Sequence, residues 1–223
     1  MQFRSKPITL LIFFISNLLS VVAQETIVTN RPLNFNGVTV VGNNYLQFEN
    51  GVNYNGSNFN YFENMIRYGL PFKADVFLQQ QINFTHTSYN PYIGLKKKLF
   101  SEDDFFVGSS ALAAININGA YYYQLLLRRN LNERFKINLY TEFYNFRFDS
   151  HKESISLTYS YAKILSFTTE FFTQNFDSKT AQLNFANTVL INKDVQLDVN
   201  GGKNLYFNTY YINFGLSFRF YTK

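Results

Sequence analysis

After residue 24 helical periodicity is weak, and apolar and polar residues instead alternate with a period of two, the spacing of a strand with two unlike faces. The last segment is the clearest. Tyr210, Ile212, Phe214, Leu216, Phe218 and Phe220 share one face, and Tyr211, Asn213, Gly215, Ser217 and Arg219 share the other. Its length matches the roughly 9–11 residues that cross a bilayer at a tilt. Leu46, Phe48, Val52 and Tyr54 alternate with Gln47, Glu49, Gly51 and Asn53; Val76, Leu78, Ile82 and Phe84 with Asp75, Gln79, Gln81 and Asn83. Phe135, Ile137, Leu139 and Phe143 alternate with Lys136, Asn138, Tyr140 and Glu142, and Leu165, Phe167 and Phe171 with Ser166, Thr168 and Glu170. Weaker segments lie near 60–69, 92–100, 105–116, 120–129, 154–161, 180–191 and 194–200. A crossing of about 10 residues with a connection of about six predicts roughly twelve crossings, with ten or fourteen as neighbouring counts. The expected fold is therefore all-β: an antiparallel, up-and-down transmembrane β-barrel of about 12 strands, both ends of its chain in the periplasm.

The connections sort into two sets. Residues 70–73, 101–104, 130–133 and 192–194 read as tight periplasmic turns; 55–58, 86–91, 149–153, 174–178 and 201–204 read as short external loops. Lys96, Lys97 and Lys98 are consecutive, so at least one points outward, and the run belongs near an interface where a lysine can snorkel.

Composition supports a wall in lipid. The chain holds 26 Phe and 17 Tyr, only 16% charged residues and 4 Pro. A soluble domain carries more charge and would have to hide nearly all those rings, whereas aromatic belts at both interfaces need no hiding. The rival soluble architecture is a periplasmic β-sandwich burying the same faces between two layers. There is no cysteine, which removes disulfides, thiolate metal sites, a thiol nucleophile and a lipoprotein anchor from consideration. Arg4 and Lys6, the apolar run at 8–19 and the small residues Val21, Val22 and Ala23 read as a cleavable export signal over 1–23. Its removal takes two basic residues and lowers the formal net charge from +5 to +3, far from a nucleic-acid-binding stripe. Residues 24–42 then form an N-terminal periplasmic segment and 43–223 the barrel, placed in the bacterial outer membrane.

Several short motifs resemble one family. Thr29-Asn30-Arg31-Pro32 and Leu46-Gln47-Phe48-Glu49-Asn50-Gly51 are similar to the opening of a family of outer-membrane transporters associated by name with meta-pathway phenol degradation. Ile66-Arg67-Tyr68-Gly69-Leu70, Ile93-Gly94-Leu95-Lys96, Gly201-Gly202 and the stretch 211–220 resemble its later strands. Asn30 stands where the family usually has an acid, and Tyr221-Thr222-Lys223 extends past the aromatic Phe220. The resemblance implies a barrel with a transport role and supplies no substrate; the expected cargo is a small solute, aromatic or otherwise hydrophobic.

The inward faces carry Glu49, Glu63, Asp75, Glu142, Glu170 and Asp198 against Arg67, Lys96, Lys98, Arg128, Lys136 and Arg219. They either line a narrow polar channel or form internal ion pairs that fill the lumen, and in both cases must be paired. Arg67 and Arg219 stand out because each also sits in a family-like motif. A lipid hydrolase would need a serine on a histidine; only His86 and His151 exist, and their neighbours on a strand point away from them. Glu102-Asp103-Asp104 lacks the spaced ligands of a calcium loop. Asn55-Gly56-Ser57 and Asn83-Phe84-Thr85 match a glycosylation pattern of low specificity, and Gly201-Gly202 is a turn with no helix behind it. The expectation is a non-enzymatic outer-membrane channel without cofactor or metal. Its partners would be outer-membrane lipid, the barrel-assembly machinery during insertion and a small solute, with no nucleic acid. The alternatives are a closed structural or partner-docking barrel and a lipid-active enzyme.

Overall fold

The structure is a computed structural model that describes residues 27, 29, 37–56, 58–84, 91–103, 105–145 and 147–222. The leader expected at 1–23, His86 and most of the Thr29-Asn30-Arg31-Pro32 motif lie outside the described residues, as do Ser57, Thr85 and Asp104. Twelve strands follow in order: β1 (Tyr45–Tyr54), β2 (Phe59–Leu70), β3 (Ala74–Asn83), β4 (Tyr92–Phe100), β5 (Gly108–Asn116), β6 (Tyr121–Asn130), β7 (Phe135–Tyr144), β8 (Arg147–Ala162), β9 (Leu165–Gln174), β10 (Asp177–Asn192), β11 (Val195–Asn204) and β12 (Tyr210–Tyr221). Each pairs antiparallel with its sequence neighbours, and β12 returns to β1 to close the barrel. Closure follows from chemistry as well as geometry, because it leaves no strand edge with unpaired backbone groups.

The alternation places its faces as expected. Ile93, Phe214 and Phe220 are exposed on the outer wall, while Gln47, Glu49, Asp75 and Ser217 are buried on the inner one. No second layer covers the apolar side, so the two-layer sandwich is excluded. Aromatic pairs mark both rims of the outer wall. Phe135–Tyr159 and Tyr159–Tyr161 lie at the end where β1 begins, here the near end, and Tyr54–Phe59 and Tyr121–Tyr123 at the far end. Within the lysine run, Lys97 faces outward opposite Ala74, the first residue of β3, which puts it at the near rim.

Two expected loops are strand instead. Residues 149–153 belong to β8 and 201–204 to β11. Both stretches are polar, and a wall that continues past an apolar belt can be polar on both faces, so composition alone reads as loop. At Asn175-Phe176 the chain turns between β9 and β10 with both residues at positive φ, 56° and 52°, as a two-residue hairpin requires. Phe176 holds that turn with its ring 5.0 Å from His151, edge-on.

The inner wall is less uniformly polar than its pattern suggests. Met65, Phe77, Leu112, Ala114 and Tyr122 form a buried cluster inside the barrel. Phe77 lies across Gly94 of the next strand, where a Cβ would come 2.2 Å from its ring and 2.7 Å from the carbonyl oxygen of Ala113. The ring can turn aside but the carbonyl cannot. Gly94→Ala is therefore expected to destabilise the barrel by about 1–3 kcal/mol through overpacking, read from the urea midpoint of the refolded protein.

Candidate functional site in the barrel lumen

The densest chemistry sits inside the near end and is built around Arg67. Its position on the inward face of β2 aims the guanidinium at β1 and β3. Nη1 meets Glu49 Oε1 at 2.9 Å and Nη2 meets Asp75 Oδ2 at 2.7 Å, all three side chains being almost wholly buried. Gln47 Nε2 donates to the same Glu49 oxygen at 2.8 Å. The planar guanidinium suits this task, since it presents a fixed fork of donors to two carboxylates at once.

Residues 37–42, part of the segment expected to lie in the periplasm ahead of the barrel, are drawn into this cluster. Val41 N donates to Asp75 Oδ2 at 2.8 Å, and Arg67 Nη2 donates to the Thr39 carbonyl at 3.3 Å. Lys96 Nζ donates to the carbonyls of Gly37 and, at 3.0 Å, Thr39; Arg128 Nη1 reaches Thr39 Oγ1 at 3.2 Å. Val38 packs on the lumen-facing Leu126 and Tyr140. On the opposite wall Ile27 N donates to the Lys193 carbonyl at 2.8 Å, and Gln196 Nε2 to Thr29 Oγ1 at 2.7 Å. The chain's own N-terminal segment thus touches both sides of the near mouth. Cationic side chains hold its carbonyls, as buried backbone groups without strand partners require.

Glu49, Arg67 and Asp75 are joined directly, and Lys96 and Arg128 join them through Thr39. The remaining predicted residues are dispersed. Glu142 meets Lys152 at 2.9 Å and accepts from Tyr140 Oη at 2.6 Å. Arg219 Nε bonds Asp194 at 2.9 Å, with its guanidinium 4.3 Å above the Tyr45 ring. Glu170 accepts from Asn184 Nδ2 at 2.8 Å and Glu63 from Gln79 Nε2 at 3.1 Å. Asp198 is buried against Gly215, whose missing side chain leaves room for the carboxylate. Lys98 and Lys136 are half-buried on the inner wall near the same end. Sequence reasoning missed Lys152 and Asp194 because it assigned both to connections. It also missed Thr39 and Val41, which belong to no periodic pattern.

His151 is a strand residue on the outer face of β8. Its Nε2 pairs with Glu153 Oε1, and Thr173 Oγ1 donates to Glu153 Oε2 at 2.8 Å. That hydroxyl serves the carboxylate rather than the imidazole, whereas nucleophilic catalysis needs it on the imidazole. In the acidic turn, Glu102 accepts from Asn130 N at 2.6 Å and lies 3.5 Å from Arg129. It therefore anchors β6, and no group of three or more potential metal ligands occurs among the described residues.

No protein-family model matches the chain, and neither does any curated protein. Solved structures do. The KdgM porin superposes with a TM-score of 0.60 at 10% identity, covering 79% of this chain and 99% of that one. The outer-membrane protein Omp33 of Acinetobacter baumannii gives 0.59 at 14% identity, with the same two coverages. An outer-membrane channel from Pseudomonas putida F1 gives 0.55 at 10% identity, covering 85% of this chain and all of the other. The chain has a porin-type barrel fold. At these identities the likeness is one of architecture.

Proposed function

We propose that the protein is an outer-membrane channel through which small solutes diffuse passively, with its near, periplasmic mouth narrowed by its own N-terminal segment. The observation that carries this reading is a closed wall, apolar outside and polar inside, with a charged cluster gripping residues 37–42 at one mouth. Its support from comparison is that barrels of the same architecture include the KdgM porin, also solved in complex with disordered oligogalacturonate, and the NanC porin. Export through a cleaved leader, insertion by the assembly machinery and residence among outer-membrane lipids belong to the same proposal. From the sequence an aromatic or hydrophobic solute is expected, but the amides, hydroxyls and charges lining this lumen favour a polar one.

A closed, structural barrel is the second reading, favoured by the apolar side chains of Met65, Phe77 and Leu126 inside the lumen. One experiment separates the two. Purified protein in planar bilayers is expected to give small, discrete conductance steps that change in Arg219→Ala, whose guanidinium lies at the near mouth. Silent bilayers with correctly folded protein, together with unchanged solute uptake in a deletion strain, would reject the channel in favour of the filled barrel.

A further inference from the structure

We infer that the far mouth of the lumen is a binding site for an uncharged, polyhydroxylated solute of about disaccharide size. The inference deepens the channel reading and rests on it for its purpose, since the solute would meet this mouth first. A recess of about 440 Å³ opens there between β1, β2 and β10–β12. Amides of Asn53, Asn55, Asn60 and Gln182 line it, with the rings of Tyr61 and Tyr211. Its nine described lining residues include no carboxylate, ammonium or guanidinium, in contrast to the near mouth.

Asn53 begins a row of amides along the wall that continues through Asn213 and Asn200. Asn53 Nδ2 donates to Asn213 Oδ1, and Asn213 Nδ2 donates to Asn200 Oδ1 at 2.8 Å. An amide has two N–H donors and an oxygen with two lone pairs, so an amide fixed by one sideways bond retains both a donor and an acceptor for a solute. Neighbouring hydroxyls on a sugar likewise both donate and accept. Tyr211 is fixed too. Its ring lies against Gly202, where a Cβ would be 2.6 Å from Cε1, and its hydroxyl donates to Asn184 Oδ1 at 2.9 Å. That leaves a rigid aromatic surface for the C–H face of a pyranose. Of the carboxylates on the inner wall below the recess, Glu63 and Glu170 are engaged by Gln79 and Asn184, and Asp198 is buried against Gly215. The ammonium nearest the recess, Lys203, lies 5.2 Å from the Tyr210 ring, and Lys152 on the opposite wall is paired with Glu142, so an ionic solute would lose hydration here for little counter-charge.

The test is a titration of the full mature chain, refolded in detergent, with cellobiose as probe, followed by tyrosine fluorescence, since the chain has 17 Tyr and no Trp. Lactobionate, a disaccharide acid, and the dipeptide Ala-Ala are the comparison titrants. Cellobiose is expected to give a saturable response with half-saturation in the millimolar range, and lactobionate and Ala-Ala none. Asn53→Leu combined with Tyr211→Leu should raise the half-saturation concentration at least about tenfold; Asn60→Leu at the rim serves if the double variant does not refold. No saturable response to cellobiose, or an equal one to lactobionate or the dipeptide, overturns the site. Parallel bilayer recordings keep the two readings apart: sugar binding without current retains the site and rejects the channel, and current without sugar binding does the reverse.

Discussion

Arg67→Ala is expected to lower the unfolding free energy of the refolded barrel by about 3–5 kcal/mol, the range for removing one partner of a buried ion pair. The loss is large because the guanidinium serves three acceptors. Without it Glu49 and Asp75 stay buried on the inner wall, both at most 1% exposed, and the Thr39 carbonyl loses a donor. Lys96 lies close by but spends its ammonium on Gly37 and Thr39, so it does not replace the missing charge without giving up those carbonyls. Arg67→Lys should recover only part of the loss, because a single ammonium cannot fork between β1 and β3. Replacing the triad together, as Arg67→Met with Glu49→Gln and Asp75→Asn, should be milder than Arg67→Ala alone, since no carboxylate is left buried without its partner and Lys96 keeps the carbonyls of Gly37 and Thr39. Urea titrations followed by far-ultraviolet circular dichroism measure all three. An Arg67→Ala midpoint within experimental error of the parent would show that the cluster is solvated rather than sealed.

Much of the architecture was legible in the residues because one physical rule acts on every strand. A wall between lipid and an enclosed interior forces a period of two, and Tyr210 to Phe220 displays it without a break. The even strand count followed from chain length and the reach of a tilted strand. The limits of β8 and β10 did not, since Asp149 to Glu153 and Asp177 to Lys179 are as polar as a loop, yet both strands run through them. The inward direction of Glu49, Arg67 and Asp75 was equally readable, but their mutual pairing was not. Alternation gives the face on which a residue stands, whereas ion pairs depend on register between strands. Glu49 faces Met65 and Gln47 faces Arg67 across β1 and β2, so the Glu49–Arg67 bond is a diagonal one.

Least legible was the N-terminal segment. Gly37, Thr39 and Val41 carry no amphipathic pattern, and what holds them is a set of cations contributed by β2, β4 and β6 together with the Asp75 carboxylate of β3. From the sequence those cations are expected either to line a narrow polar channel or to form internal ion pairs. In the structure several of them grip the chain's own backbone at the near end, while at the far end the Glu142–Lys152 pair shares the wall with neutral amides.

Gly69→Ala provides the sharpest test of the segment's role, and is expected to raise single-channel conductance several-fold. A Cβ at Gly69 would lie 1.8 Å from the Gly42 carbonyl oxygen and 2.8 Å from that of Val41, both backbone atoms that no rotamer change can move. Something must yield. Gly69 itself is paired to Asp75 within the β2–β3 ladder, whereas the segment is held by a few hydrogen bonds and the Arg67 cluster, so the segment is the part that shifts. Gly108→Ala is the matching control at the same end of the inner wall, because a Cβ there meets nothing closer than 3.6 Å, and its conductance should equal that of the parent. If Gly69→Ala and Arg67→Ala both act by releasing residues 37–42, their effects on conductance should not add when combined, as expected of two substitutions sharing one structural element. Parental conductance in Gly69→Ala would mean that the segment does not limit flow, and full additivity in the double variant would mean that Arg67 shapes the pore by another route.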